Sequence, residues 1–364
     1  KEAFEMNENM ERISRLREKM QEAEIDMYLV PTADFHQSEY VGDYFKVRKW
    51  LSGFSGSAGT LVVTMDSAYL WTDGRYFIQA VKELEGTGVT LMKMREEGVP
   101  TIDEFLEENL KENSCLACDG RTISAEQGKA WKVMMDRKNG RFFCKEDLAD
   151  SIWEDRPSMS REPVYLVDVK YVGKAREEKI AMVREAMKES KTDVHILSSI
   201  DDIAWLLNIR GNDIVYNPVV LSYVIVKETE VLFYVQEEAI SEEIRAELEK
   251  AGVVLKPYFS IYDDVKELGT DSRILLDEKV VNYTLFENLP EGAVTVNAMN
   301  PTKPAKAMKN PVEMENERIA HRKDAKAMCR FIYWLKHNVA SGEITEYSAA
   351  EKSLKFRKED PDCL

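Results

Sequence analysis

Arg75 has the setting best suited to chemistry. It stands in Trp71-Thr72-Asp73-Gly74-Arg75-Tyr76-Phe77, inside a stretch, Trp50–Ala80, that also carries Gly53, Gly56 and Gly59. Thr60–Thr64 and Tyr69–Trp71 read as two β-segments joined through Met65–Ala68, and Asp73-Gly74 reads as a turn. Arg75 then opens an amphipathic helix through Tyr76, Phe77, Ile78 and Ala80. A charged side chain at such a strand-to-helix corner is aimed outward by rigid elements. Guanidinium stays charged and grips a carboxylate or a peptide carbonyl with two donors. The plain alternative is a surface ion pair, with Asp73 as its partner. Arg210 is the next candidate, though a structural role at a domain edge is the simpler reading for it.

Other chemistries are poorly supplied. The chain has four histidines, His36, His195, His321 and His337, and no H-E-x-x-H. His195 falls in a strand and reads as a satisfied core histidine. His36, beside Asp34 and Glu39, reads as the holder of a structural hydrogen bond. His321 and His337 share one helix too far apart to share an ion. Cys115 and Cys118 form a lone C-x-x-C without the second pair that a structural zinc needs. On a strand, positions three apart face opposite sides, so core packing is the better account of that pair. Gly53-Phe54-Ser55-Gly56-Ser57 misses G-x-S-x-G at its last position. The glycines lead into Leu61-Val62-Val63 rather than into a helix N-terminus, which excludes a phosphate loop. Acid pairs such as Asp201-Asp202 and Asp263-Asp264 read as solvated faces or caps.

The elements around these residues come in two rounds. Helix Glu8–Glu24 and strand Ile25–Val30 precede the Trp50–Ala80 unit. A strand at Val89–Met94, a helix at Ile102–Leu110, a strand at Cys115–Asp119, a helix at Ala125–Met135 and a strand at Arg141–Cys144 follow it. Ser151–Pro163, with Pro157 and Pro163, reads as a linker. The order then restarts. Helix Gly173–Ser190, strand Val194–Leu197, helix Ile200–Leu207 and a hairpin of Val219–Val226 with Val231–Val235 come first. Helix Glu238–Lys250, strand Val253–Lys256, helix Ser260–Leu268, strand Arg273–Asp277, helix Asn282–Asn288 and strand Ala293–Val296 complete it. The near-constant offset of about 160 residues points to a duplicated α/β unit. Asn300–Lys309 reads as a second linker. Asn310-Pro311-Val312-Glu313 then starts a helix to about Asn338, with cap, first-turn proline and capping box together. Its expected buried stripe is Ile319, Met328, Phe331, Ile332 and Leu335. A last helix covers Thr345–Lys355. The domain expectation is 1–155, 164–300 and an incomplete 310–364.

With 50 Lys and Arg against 66 Asp and Glu, the net charge is −16, which argues against a nucleic-acid surface and an anionic-membrane face. No apolar run approaches the roughly 20 residues that span a bilayer. The N-terminus, KEAFEMNENMER, has no apolar leader core. Five cysteines without framework spacing favour a reducing compartment, and the cytoplasm is expected.

Several of these segments carry a family resemblance. His36-Gln37-Ser38-Glu39-Tyr40, Ser52-Gly53-Phe54 with Gly56-Ser57-Ala58-Gly59-Thr60, Trp71–Phe77 and Leu91-Met92-Lys93-Met94 resemble the first domain of Xaa-Pro aminopeptidases. Asp202–Gly211 and Tyr216-Asn217-Pro218 with Ser222-Tyr223 are similar to the second domain of the long, three-domain form. The resemblance implies two tandem three-layer α/β/α domains of creatinase N-terminal type, with mixed sheets and a ribonuclease H-like motif. The first helices of a pita-bread domain would follow, where Ile319–Ala325 looks like the opening helix. It also implies removal of the first residue from peptides with proline second, in a cleft that Arg75 reaches. Two divalent ions, usually manganese, held by two Asp, one His and two Glu, would supply the attacking hydroxide. Those ligands would lie past Leu364. No catalytic or metal residue is therefore assigned here, no bound metal is expected, and the chain alone is expected to be inactive. A homodimer is implied for the full-length protein. A non-catalytic, partner-binding scaffold is the competing reading, and a one-domain relative such as creatinase or prolidase a third.

Overall fold

The computed structural model describes residues 7–363. The first part of KEAFEMNENMER and Leu364 therefore lie outside the described residues. Two compact units form, one of Lys1–Leu166 with Arg176–Pro304, the other of Val167–Ala175 with Ala305–Leu364.

The first unit holds two lobes. In the first lobe the order is α1 (Glu8–Glu22), β1 (Met27–Pro31), α2 (Val47–Ser52), β2 (Thr60–Thr64), β3 (Ala68–Thr72), α3 (Phe77–Glu83), β4 (Val89–Lys93), α4 (Ile102–Asn109), β5 (Cys115–Cys118), α5 (Ala125–Arg137) and β6 (Arg141–Phe143). Alternation along the strands builds two cores. Tyr28 and Val30 of β1, with Leu61 and Val63 of β2, pack with Ile13, Leu16 and Met20 of α1. Met27, Leu29 and Val62 point the other way, into a cluster with Leu106 of α4 and Trp131 and Met135 of α5. A sheet buried on both faces reads as a near-continuous apolar run, as Leu61-Val62-Val63 does. Helix α3 begins at Phe77, not at Arg75. The Tyr76 N–H bonds to the Asp73 carbonyl at 3.0 Å and closes a turn, which leaves Arg75 ahead of the helix.

Past β7 (Tyr165–Leu166) and α6 (Val169–Val172), the second lobe runs α7 (Arg176–Glu189), β8 (Val194–Leu197), α8 (Ile200–Leu207), β9 (Ile209–Arg210), β10 (Ser222–Lys227), β11 (Val231–Val235), α9 (Glu242–Lys250), β12 (Val253–Pro257), α10 (Ile261–Asp264), β13 (Arg273–Leu276), α11 (Tyr283–Glu287) and β14 (Val294–Asn297). β7 and β9 form a small separate ladder. The expected helix Gly173–Ser190 starts three residues late, as α7 at Arg176, because Gly173, at φ 71°, caps α6 in the left-handed region.

The two sheets have one topology. Their orders are β4-β3-β2-β1-β5-β6 and β12-β11-β10-β8-β13-β14. Pairing sense matches strand for strand: β1–β2 and β2–β3 are antiparallel, as are β8–β10 and β10–β11, and the other three pairs of each sheet are parallel. The lobes also meet on equivalent segments. The Ala125 N–H donates to the Val281 carbonyl at 2.8 Å, and the Tyr283 N–H donates to the Ile123 carbonyl at 2.9 Å. Between them Ser124, which caps α5, bridges Asn282, which caps α11. The exchange is reciprocal, as in a two-fold contact between like subunits.

Both stretches read as linkers are anchored by a few buried residues. Ile152, Trp153 and Met159 are buried, and Arg156 pairs with Asp147 at 2.6 Å with both side chains covered. Asn300 and Thr302 are also buried, and α12 (Thr302–Ala307) forms within the stretch read as a linker. Proline and polar composition mark where a chain leaves a sheet, but a few buried anchors suffice to fasten such a stretch, and a short helix can form within it.

In the second unit, α13 (Pro311–Asn338) starts as its sequence specifies. The Asn310 side chain accepts from the N–H groups of Val312 and Glu313 at 2.9 and 3.0 Å, and Glu313 returns the bond. The expected buried stripe is covered only in part: Met328, Phe331 and Leu335 are half-buried. Only Ala327 is buried among the described residues of α13, while Ile319 and Ile332 stay exposed. α14 (Glu346–Arg357) has no buried residue, so this helix pair is too thin to close a core of its own.

Lobe docking gives a test. A β-carbon on Gly128 of α5 would lie 2.2 Å from the Tyr283 ring of α11. Gly128→Ala gains helix propensity, about 1 kcal/mol, yet overpacking costs roughly 1–3 kcal/mol. Urea unfolding of the variant is expected to show a net loss of stability; a gain shows that the lobes do not close on this contact.

Candidate functional site

The corner that carries Arg75 is held from three sides. β3 delivers Asp73 and α3 leads away. The glycine loop Gly53–Gly59 packs alongside, with the Thr72 hydroxyl donating to the Ala58 carbonyl at 2.7 Å. Gly59 allows this approach, since a β-carbon there would sit 2.9 Å from the Trp71 carbonyl oxygen. The loop is fastened to α3 as well: Glu83 accepts from the Ser55 N–H and hydroxyl at 2.8 and 2.7 Å, and Ser57 Oγ bonds the Tyr76 hydroxyl at 2.7 Å. Desolvation works against the Glu83 charge, but the Ser55 hydrogen bonds prevail and its pKa falls.

Arg48 of α2 clamps the same loop from within. It donates to the carbonyl of Phe54 at 2.6 Å, to the carbonyl of Gly56, and to the Thr32 hydroxyl at 2.9 Å. Its guanidinium also lies over the Phe54 ring. Burial lowers its pKa to about 10, so it remains a cation at neutral pH. A buried charge is tolerable only when so thoroughly hydrogen-bonded.

Arg75 itself is 67% exposed in its side chain. Nε and Nη2 fork onto the two oxygens of Asp73 at 2.9 and 2.8 Å, and the Arg75 N–H bonds Asp73 Oδ1 at 3.1 Å. The guanidinium also lies 5.2 Å from the Tyr76 ring centroid. Arg75 hydrogen bonding holds the Asp73 carboxyl down to about 2, and Asp73 raises the Arg75 pKa in turn.

A cavity of about 560 Å³ opens beside this corner, between the lobes. Glu39, Tyr40, Lys46 and Ser57 line it from the first lobe, and Asp213 and Val215 from the second. Arg75 is not among the residues lining it. Tyr216, next in sequence to the lining residue Val215, is 91% exposed, with φ at 62°. A tyrosine in the left-handed region carries backbone strain.

His36 is a hinge pin rather than a local link. Its Nδ1 donates to the Ser198 carbonyl at 2.9 Å, so Nε2 accepts from the Tyr258 hydroxyl at 2.7 Å; both partners belong to the second lobe. The structural-bond expectation holds, but Asp34 binds the His36 backbone N–H instead of its ring. His195 is buried, with Nδ1 donating to the Leu275 carbonyl at 3.0 Å and Nε2 without a partner among the described residues, so it is only half satisfied. Arg210 donates to the Ala204 and Ile209 carbonyls, a structural role. His337 Nδ1 bonds the Tyr333 carbonyl at 2.7 Å. Cys115 and Cys118 pack on opposite faces of the sheet. Among the described residues no group of three or more His, Cys, Asp or Glu side chains could hold a metal ion.

Sequence reasoning missed Arg48 and the Asp147–Arg156 pair. Arg48 sits in Lys46-Val47-Arg48-Lys49-Trp50, where nothing separates it from its solvated neighbours.

Known proteins match this architecture. Residues 12–141 and 155–313 each fit a family profile described as the creatinase/prolidase N-terminal domain. The chain thus carries two such domains in tandem. It is 34% identical over 366 residues to Xaa-Pro aminopeptidase 1 of Dictyostelium discoideum, covering 97% of this chain and 58% of the relative. It is 36% identical to a probable Xaa-Pro aminopeptidase P of Laccaria bicolor, covering 96% and 55%. The solved X-prolyl aminopeptidase of Caenorhabditis elegans, described as a cytosolic enzyme with a di-nuclear active site, superposes with a TM-score of 0.89 at 31% identity. That match covers 96% of this chain and 60% of the nematode chain. The chain belongs to the Xaa-Pro aminopeptidase family, in its long form, and spans little more than half the length of these relatives.

The buried histidines predict a pH response. Desolvation lowers the pKa of both His36 and His195, outweighing the Asp34 charge near the first and the Leu275 carbonyl bond of the second. Tyr223 and Tyr258, which also face His36, stay protonated because burial raises their pKa. An unfolded histidine takes up its proton near pH ~6.5, so the stability from neutral burial is complete above that pH and is lost as pH falls. Asp147 and Asp213, raised by burial, oppose this trend at acid pH. His36→Asn leaves those acids in place. Its unfolding free energy in urea is expected to fall less steeply than the parent's between about pH 7 and pH 5; equal slopes would refute a buried neutral His36.

Proposed function

We propose that this chain forms the substrate-orienting N-terminal part of a metal-dependent Xaa-Pro aminopeptidase, which removes the first residue from peptides with proline second. The observation that carries the proposal is the collinear match, at 34% identity, across 97% of the chain. On this reading 1–155 and 164–300 are the two creatinase-type domains, and 310–364 opens the catalytic domain. The two metal ions, taken as manganese, belong to sequence of the kind that the relatives carry beyond the matched span. The described residues here do not fit that group, so no step through it is derived. Pairing of two chains is likewise assigned to the longer protein. A cytosolic location follows the description of the nematode relative and agrees with five free cysteines.

Arg75 is assigned to the substrate. Its exposure and its position at a braced corner support this, and guanidinium suits a peptide carbonyl or carboxylate. The cavity between the lobes is the proposed path for the rest of the peptide.

Two outcomes are expected. Purified 1–364 protein with added manganese shows no turnover of an Xaa-Pro peptide above a metal-only control; sustained turnover overturns the division of labour. In a longer, active protein that contains this segment, Arg75→Ala lowers kcat/KM by about 10- to 100-fold, the value of one charge-assisted bond. An unchanged kcat/KM returns Arg75 to the role of a surface partner of Asp73.

A further inference from the structure

We propose that Cys118 and Cys144 are a redox-active dithiol that closes to a disulfide under peroxide. Cys118 ends β5, and Cys144 follows β6. The parallel register pairs Ala117 with Phe143, so the two cysteines are the next rung on the same face. Their sulfurs are 3.9 Å apart. Adjacent strands lie about 4.8 Å apart, within the span over which a disulfide joins two backbones.

The pair is built into one place. Cys118 is fully buried in the cluster that contains Trp131 and Tyr283, and Cys144, partly exposed, packs on the edge of that cluster. The Cys144 carbonyl accepts from the Gly120 N–H at 3.2 Å. A β-carbon on Gly120 would lie 2.9 Å from that of Cys144 and 2.7 Å from Thr284 Oγ1 of α11. The dithiol therefore lies directly under the reciprocal contact of the two lobes. The fold does not itself require sulfur there, since the second lobe places Leu276 at the end of β13, the equivalent of Cys118 at the end of β5.

The chemistry balances with hydrogen peroxide as the oxidant. The Cys144 thiolate attacks one peroxide oxygen, the O–O bond breaks, and hydroxide leaves with the displaced thiol proton as water. The sulfur of Cys118 then attacks Sγ of Cys144. The S–S bond forms, the S–O bond breaks, and the second oxygen leaves as water with the Cys118 proton. Two sulfurs lose two electrons in all, and one peroxide gains them. The partly exposed Cys144 meets the oxidant first and Cys118 resolves it. Burial, with Cys118, Glu287 and Asp119 nearby, raises the Cys144 pKa, so thiolate is scarce at neutral pH and closure is slow there.

The test uses the intact chain. It is treated with hydrogen peroxide, its remaining thiols are alkylated, and it is digested without reductant for mass spectrometry; Arg121 and Lys129 supply cleavage points between the two cysteines. A linked Cys118–Cys144 peptide pair is expected, lost on adding dithiothreitol and forming faster between about pH 7 and pH 9. In Cys118→Ala the link is absent and Cys144 proceeds to sulfinic acid, which thiols do not reverse. The proposal is overturned if, in the parent chain, both cysteines remain alkylatable while Cys329 oxidises, or if Cys144 reaches sulfinic acid without linking. The parent mapping decides the matter even where the variant fails to fold.

Discussion

The cavity of the first unit depends on how its two lobes are locked. The lock has an apolar part, with Phe35 and Phe45 in the core of the second lobe and Tyr283 in that of the first, and a polar part that is largely buried. His36 reaches from the first lobe to the Ser198 carbonyl and the Tyr258 hydroxyl of the second. Asn282 returns to the Phe35 carbonyl at 2.9 Å and to the hydroxyls of Tyr223 and Tyr262. Lys129 meets Glu278 at 2.8 Å. Such groups contribute little net stability compared with an apolar seam, because each must first be stripped of water. What they add is orientation. A slipped seam would leave several buried donors and acceptors unmet, at a cost of about 1–3 kcal/mol each. The cavity between the lobes has a defined shape because its walls cannot slide.

The duplication explains where the lock lies. Two copies of one sheet topology meet through Ile123–Ala125 and Val281–Tyr283, segments at the same place in each copy. The symmetry stops at the side chains. Ser124 caps one helix and Asn282 the other, and only the asparagine has an amide to send across the seam. The candidate features are likewise unequal. The arginine corner and the glycine loop belong to the first lobe, and the strained Tyr216 loop to the second.

Much of this was legible in the residues. The two-round order of elements and the caps of α13 follow from local pattern and composition, whereas the three-layer arrangement rested on the family resemblance. Arg75 could be placed at a corner because Asp73-Gly74 marks a turn whatever surrounds it. The exact start of α3 could not, since the Asp73 carbonyl closes that turn only once β3 has set its direction. Arg48 and the Asp147–Arg156 pair were invisible for a different reason. In sequence a buried cation looks like a solvated one, and only the carbonyls that converge on it, from residues 6 to 8 positions away, tell them apart. The α13 stripe failed in the opposite sense. Its periodicity states what the helix would bury but not whether partner surface is present to bury it.

The Arg75–Asp73 fork bears on how an exposed arginine can serve a ligand at all. A free arginine on a surface gives up substantial rotamer entropy on binding, which offsets the contacts it gains. Here Asp73 has already fixed the side chain through Nε and Nη2, and Tyr76 lies against the guanidinium. Nη1 makes no hydrogen bond among the described residues. Only part of the fork is thus spent on the ion pair, and the remaining N–H groups are held at a set angle above a corner that Glu83, Thr72 and the Arg48-clamped loop keep in place. The same pair that makes Arg75 look like an ordinary surface residue is what would let it act as a directed donor.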